Sequence, residues 1–282
     1  MNQRKASKSE AIGALFSRAT GENEIQPDGW HNQINDIIDI AKSANTLLCV
    51  YSADGSGKTT FLRQFSKKAS PFMDVITINP ASPSLAPGWI SHALADWVSS
   101  DPSTDKVLQQ KVSALKENAR PIIIAIDSGD IVDSTQMNGD ICAVLNIGDA
   151  SELKLSILVV CSERQADSLA GDPLIGNRLV LKNALSKLSV DDLVKIARQK
   201  LRTFDSNTPI PSDADLFDMA KHSDGSPIKM AHLICTHLGY DVPNSKREKT
   251  TPRTSPSSKK SKKSSESNMI SIDDLLAPQT KD

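Results

Sequence analysis

The run Ser52-Ala53-Asp54-Gly55-Ser56-Gly57-Lys58-Thr59 sets two glycines, a lysine and a hydroxyl residue in the order used by phosphate-binding loops. The general pattern is glycine, four residues, then Gly-Lys-Ser/Thr, and here Ser52 stands where the first glycine is usual. Backbone N–H groups of such a loop point at phosphate oxygens, and the following helix adds its positive end. Lys58 would reach the β- and γ-phosphates and Thr59 would place its hydroxyl on Mg²⁺. The candidate phosphate contacts therefore run from Ser52 through Ala53, Asp54, Gly55, Ser56, Gly57, Lys58 and Thr59 to Thr60. The ligand expected is ATP with Mg²⁺, with GTP as the alternative nucleotide.

A second motif supplies a carboxylate. Ile122-Ile-Ile-Ala-Ile-Asp127 is an apolar β-branched run ending in Asp, the form of a Walker B strand, and Asp127 would hold Mg²⁺ beside Thr59, directly or through water. Many ATPases of this kind place Glu next, to orient or deprotonate the attacking water, whereas this chain has Ser128. A serine hydroxyl cannot serve as a comparable base near neutral pH. Asp130, reached through Gly129, is the candidate substitute. Nucleotide binding is thus better supported by the residues than rapid hydrolysis.

These residues need a scaffold, and the hydrophobic pattern supplies one. Thr46–Tyr51 reads as a strand entering the loop, and Thr60–Lys67 as the helix leaving it. Asp74–Ile78, Pro121–Ile126, Leu155–Val160 and Arg178–Leu181 read as further strands. Their continuous apolar runs suit strands buried on both faces of a parallel sheet. Helices are expected at Ile34–Ala41, around Trp89–Trp97, at Val107–Leu115 and around Ile141–Leu145. Trp89, Ala93, Leu94 and Trp97 share one helical face, as core packing requires. Strands alternating with helices predict an α/β fold, a P-loop NTPase with a doubly wound parallel sheet.

After Ser189 the pattern turns purely helical, with Ser189 as N-cap of a helix to about Leu201, then Asp213–His222 and Pro227–Leu238. The predicted organisation is a flexible N-terminal segment over 1–25, an ATPase core over 26–185, a helical lid over 186–241 and a disordered basic tail over 242–282. The tail carries Lys246, Arg247, Lys249, Arg253, Lys259, Lys260, Lys262 and Lys263 in a Ser/Pro-rich background, a composition that cannot bury a core. Such a run attracts polyanions, so DNA is a candidate partner, although it has no aromatics for base stacking. A short acidic-apolar cluster, Met269–Leu276, lies near the end and suits a partner's groove.

Bulk properties exclude several classes. A formal net charge of −1 over 282 residues gives no global attraction to nucleic acid. Cys49, Cys142, Cys161 and Cys235 show no C-x-x-C spacing, which argues against a zinc site or disulfide framework and for buried thiols in a reducing compartment. No run approaches the ~20 apolar residues of a membrane helix, so a cytoplasmic chain without a transmembrane segment is expected.

In order and spacing, residues about 30–240 resemble an AAA+ or STAND-type P-loop ATPase, with the nearest likeness to the GspA/ExeA and TniB/TnsC group. The resemblance implies further roles. A polar residue ending the fourth strand senses the γ-phosphate, and Ser162 matches it. An arginine before the last core strand inserts into a neighbouring subunit's site, and Arg178 occupies that place. A basic residue in a lid turn contacts phosphate, and Gly225-Ser-Pro-Ile-Lys229 offers Lys229 where the family has Arg. The implied function is an ATP-dependent switch or assembly factor that self-associates or binds a protein partner, with a DNA transaction as one setting. An envelope or secretion role, a nucleotide-binding scaffold with little turnover and a P-loop phosphotransferase stay open as alternatives. The phosphotransferase fits less well, because those enzymes insert the lid within the core, whereas here the helices follow it.

Overall fold

A computed structural model describes residues 25–43, 45–80, 88–98, 120–127, 134–151, 153–204 and 210–239. Helix α1 (Asp28–Ala41) precedes strand β1 (Leu47–Tyr51), which runs into the glycine-rich loop and helix α2 (Lys58–Ala69). Strand β2 (Asp74–Ile78), helix α3 (Trp89–Val98), strand β3 (Ile122–Asp127), helix α4 (Ser134–Ser151), strand β4 (Leu155–Cys161) and helix α5 (Glu163–Gly171) follow. A 3₁₀ turn (Gly176–Arg178) leads into strand β5 (Leu179–Ala184). Three helices close the order: α6 (Val190–Phe204), α7 (Asp213–His222) and α8 (Pro227–His237).

The five strands form one parallel sheet in the order β2-β3-β4-β1-β5. Parallel neighbours need crossovers, and the helices supply them on both faces. Side-chain alternation divides the core accordingly. Leu48, Val50, Ile123, Ala125, Leu158 and Val160 face α1 and α2, against Ile34, Ile37, Phe61 and Phe65. Leu47, Cys49, Ile124, Ile126, Ile157 and Val159 face the other way, against Ile90 and Leu94 of α3, Ile141 and Val144 of α4, and Ala166 and Leu169 of α5. The two-residue period of β1 therefore decides which layer each side chain fills.

The lid helices continue the first of these cores. Leu193, Ala197 and Leu201 of α6, Leu216 of α7, and Met230 and Ile234 of α8 belong to the same buried cluster as Trp30 and Phe61. Three serines cap these helices: the hydroxyl of Ser189 accepts from Asp192 N (3.1 Å), Ser212 from Asp215 N (3.2 Å) and Ser226 from Lys229 N (3.4 Å). Ser189 is the cap expected from sequence.

Strands β1–β4 and helix α2 lie within two residues of the expected ends, whereas α1 begins at Asp28, six residues before Ile34, and α4 spans Ser134–Ser151 around the expected Ile141–Leu145. Arg178 is a difference: it sits in the 3₁₀ turn, and the strand runs from Leu179 to Ala184 rather than ending at Leu181. Helix α5 has no counterpart in the sequence reading. The expected helix at Val107–Leu115, the N-terminal segment 1–24 and the tail from 240 onward lie outside the described residues, as does the side chain of Trp97. The four cysteines are free thiols, three of them buried, with Cys49 Sγ and Cys161 Sγ 3.6 Å apart on neighbouring strands. No described helix is long and apolar enough to cross a membrane.

Candidate phosphate-binding site

The sheet register brings Ser52, Asp127 and Ser162 to one edge. Asp127 ends β3 opposite Val160 of β4, and Val160 lies opposite Val50 of β1. One further step places Cys161 beside Tyr51, so Ser162 and Ser52 emerge together from adjacent strands. Ser52 N donates to Cys161 O at 3.0 Å, fixing the loop entry to β4. Two strand spacings, about 10 Å, separate the backbones of Asp127 and Val50.

The loop turns on two residues with left-handed backbones, Gly55 at φ +74° and Gly57 at +100°. Ser52, by contrast, needs no such conformation, since the only described non-glycine residue with positive φ is Asp224. That accounts for serine at the first glycine position. Its hydroxyl lies 2.6 Å from that of Ser56 and joins the two ends of the loop. Gly57 is the N-cap of α2, whose first turn holds no acidic residue while its last turn carries Lys67 and Lys68. The N-terminal end of this helix dipole is left for an external anion.

Lys58 is 8% exposed. Its ammonium donates to Ser52 O (3.1 Å), Ala53 O (3.4 Å) and Asp54 Oδ1 (3.3 Å). Thr59 is exposed on the first turn of α2, and Thr60 accepts from Arg63 Nη2 at 3.5 Å. Asp127 is 3% exposed, an acidic group buried at the sheet edge beside the loop strand's neighbour. Among the described residues no group of three or more His, Cys, Asp or Glu gathers as a metal cage. The residues present fit Mg²⁺ in the manner usual for nucleotide sites: one carboxylate from Asp127, one hydroxyl from Thr59, and the remaining oxygens from phosphate and water. Ser128 and Asp130 lie outside the described residues.

Ser162 caps α5, accepting from Gln165 N at 3.4 Å. The cap uses an oxygen lone pair, and the hydroxyl proton is a separate donor. Arg178 lies at the opposite edge of the sheet, because Leu179 pairs with Leu47 at the start of β1. A five-residue strand, roughly 16 Å, therefore separates it from its own loop. Its guanidinium is bound within the chain, to Asp149 Oδ2 (2.7 Å) and Asn146 Oδ1 (3.0 Å). Asn45 also donates to Asp149 (3.0 Å). That hydrogen bond is the largest cause holding the Asp149 carboxyl below its ordinary value; burial opposes it, and Arg178 adds to the lowering.

Two residues not singled out by sequence pack against the loop glycines. Trp30 of α1 backs the loop: a Cβ on Gly57 would lie 2.9 Å from its ring. Trp30 packs edge-on to Phe61 at 5.7 Å and donates to Ser186 O at 2.8 Å. Gln33 donates to Ala184 O (2.8 Å) and accepts from Ser186 N (3.2 Å). Helix α1 thereby ties the loop to the segment that leaves β5 for the lid. The second residue is Ile228, whose side chain would meet a Cβ on Gly55 at 2.3 Å. The lid turn is held for this by Gly225 (φ +76°), close against Lys187 and Leu188 O, and by the Lys187–Asp224 ion pair at 2.9 Å. Lys187 is the main cause, and Lys229 a smaller one, of the lowered carboxyl value of Asp224. Ile228 and Lys229 are both exposed, Ile228 at 47%, and the contact with Gly55 is made by the Ile228 side chain. An apolar side chain one position before a lysine carries no chemical signal in sequence; only the helix phase of α8 selects it.

No protein-family profile matches the sequence, and no curated protein matches it. Solved structures do resemble the fold. The Aeropyrum pernix ORC2 protein in its ADP form superposes with a TM-score of 0.55 at 13% identity, over 81% of this chain and 68% of that one. Cdc6p from Pyrobaculum aerophilum gives 0.53 at 14% identity, over 80% and 66%. The Aeropyrum pernix ORC1 protein in complex with DNA gives 0.51 at 17% identity, over 80% and 63%. The chain thus spans about two thirds of the length of these proteins. At such identities the likeness concerns the fold alone, a parallel five-stranded α/β sheet with a helical portion after the core.

Proposed function

We propose that this chain binds ATP with Mg²⁺ and acts as an AAA+-like switch or assembly factor, resetting by slow hydrolysis and working with copies of itself or a partner. One observation carries the reading: the buried ammonium of Lys58 and the hydroxyl of Thr59 begin a helix on the same sheet edge that presents Asp127 and Ser162. In that arrangement Lys58 and the loop amides bind and orient the phosphates, Asp127 and Thr59 hold the metal, and Ser162 stands within the same row as a γ-phosphate sensor. Bound Mg²⁺ would neutralise phosphate charge. Arg178, a strand's length from its own loop, fits a role in a neighbour's site, for which it must leave Asp149.

A DNA-handling assembly is the favoured setting. Its support is the basic sequence of residues 246–263 and the fold shared with a protein seen bound to DNA, the Aeropyrum pernix ORC1 protein. Kinship with the GspA/ExeA and TniB/TnsC group is part of the same proposal. A second reading, a nucleotide-binding scaffold with little turnover, is favoured by Ser128 after Asp127.

The deciding measurement is ATP turnover by the full chain across a range of protein concentrations, with and without duplex DNA, alongside its mass in solution. The switch reading expects slow basal turnover that rises as the chain associates. Tight binding with turnover at background in every condition supports the scaffold, and failure to bind nucleotide removes both readings.

A further inference from the structure

The ammonium of Lys58 has three N–H groups, and all three have partners inside the loop: two carbonyls, Ser52 O and Ala53 O, and the carboxylate of Asp54. The two carbonyls belong to the loop backbone. The Asp54 side chain is different in kind. It is an anion, 75% exposed, on the loop that must accept a more highly charged anion, while its lysine partner is only 9% exposed. The residue immediately after it, Gly55, has Ile228 of the lid seated on its α-carbon, which holds this part of the loop in its present shape. No acidic residue lies in the first turn of α2; Asp54 is the acid built into the loop sequence itself.

We propose that Asp54 is an internal competitor for the di- and triphosphate group: its carboxylate occupies the third N–H of Lys58, and a nucleotide binds by exchanging a β- or γ-phosphate oxygen for that carboxylate oxygen. The inference rests on the nucleotide-binding reading above. Its physical content is that the loop has its anion position filled at rest. Ligands with a β-phosphate must displace Asp54, and they also face its negative charge once displaced. A nucleoside monophosphate has no group to make the exchange, so Asp54 affects it little. Because Asp54 is solvent-exposed, the competition is modest and salt-screened.

Titration calorimetry of the full chain with Mg-ATP, Mg-ADP and AMP, for wild type, Asp54→Asn and Asp54→Glu, tests this. Asp54→Asn should tighten ATP and ADP binding by about two- to fivefold at 0.1 M salt, less at 1 M salt, and leave AMP unchanged. Asp54→Glu keeps the charge and should stay near wild type. Unchanged or weaker ATP and ADP binding by a folded Asp54→Asn protein overturns the proposal and leaves the nucleotide reading standing. An equal gain for AMP also overturns it, since the carboxylate would then be acting on loop shape. If no variant, wild type included, binds any of the three, the nucleotide reading itself falls.

Discussion

Lys58 and Asp127 are buried charges at one sheet edge, 8% and 3% exposed, and their positions assign them different work. Lys58 begins α2, and on the proposed reading its charge would contribute to ground-state binding of phosphate. Lys58→Ala removes one charge-assisted contact worth about 1.5–3 kcal/mol. It should therefore weaken Mg-ATP binding by roughly 10–100-fold. The chain should stay folded, because the surrounding core of Phe61, Leu62 and Trp30 is untouched. Calorimetric titration with a circular dichroism check reads both, and unchanged affinity in a folded protein removes the phosphate-binding role. Asp127 sits two strands from β1, so on the proposed reading it would act on phosphate through a metal. Asp127→Asn should then lower Mg²⁺-dependent turnover by about 100-fold or more while changing nucleotide affinity far less. Equal effects on both, or none, would make Asp127 a strand-end group without a metal role.

Strand β5 and helix α4 meet through a polar chain in which Arg178 binds Asp149 and Asn146, and Asn45 binds Asp149 and accepts from Leu155 N at 2.6 Å. The same arginine is thus a staple between elements in one copy and the candidate for reaching a second. Arg178→Ala should abolish any rise of specific ATPase activity with protein concentration; a rise that persists would leave Arg178 a staple alone. The staple has its own pH signature. Asp149 has a folded value held below its ordinary 3.8. Its stabilising contribution is fully present above that ordinary value and is lost as pH falls through the lower folded one. In urea melts Asp149→Asn should be less stable than wild type at neutral pH by about 0.2–1 kcal/mol, the range for solvent-screened pairs. The two should converge in strong acid, and a difference that persists there would show that Asp149 acts by packing. The elements themselves were legible from hydrophobic period: β1, β3 and β4 are continuous apolar runs, and the loop between β1 and α2 has a fixed residue order. Helix α5 escaped notice because Glu163–Gly171 buries only Ala166 and Leu169, too few apolar positions for a visible stripe. The pairing of Asp54 with Lys58, the backing by Trp30 and the seat of Ile228 on Gly55 were also invisible. Each depends on a backbone turn or on contact across more than one element, which local periodicity does not encode.

At the scale of the whole molecule the folded unit and the chain that follows it divide the chemistry. The described residues hold the candidate nucleotide site, and sequence alone places a dense set of positive charge beyond it: eight Lys and Arg with one acid, Glu248, across residues 246–263. The chain's formal net charge of −1 means that these cations are balanced by acids elsewhere, so attraction to a polyanion should be local to the tail. Without interleaved aromatics, binding should be to phosphate and indifferent to base sequence. Each neutralised phosphate releases counterions, so on duplex DNA the log–log slope of affinity against salt should be roughly −0.9 per contact, with Kd in the range of about 10⁻⁴–10⁻⁶ M at physiological salt. Deleting residues 244–282 should remove this binding and leave ATP binding intact, since Ser52–Thr60 and the lid turn at Gly225–Lys229 lie upstream. Fluorescence anisotropy of a labelled duplex against the full-length and truncated proteins at two salt concentrations decides the matter. Retained DNA binding after truncation would move the contact surface to the folded unit. Absence of binding by either protein would leave the tail a solvated spacer and remove the chief local support for a DNA-handling role.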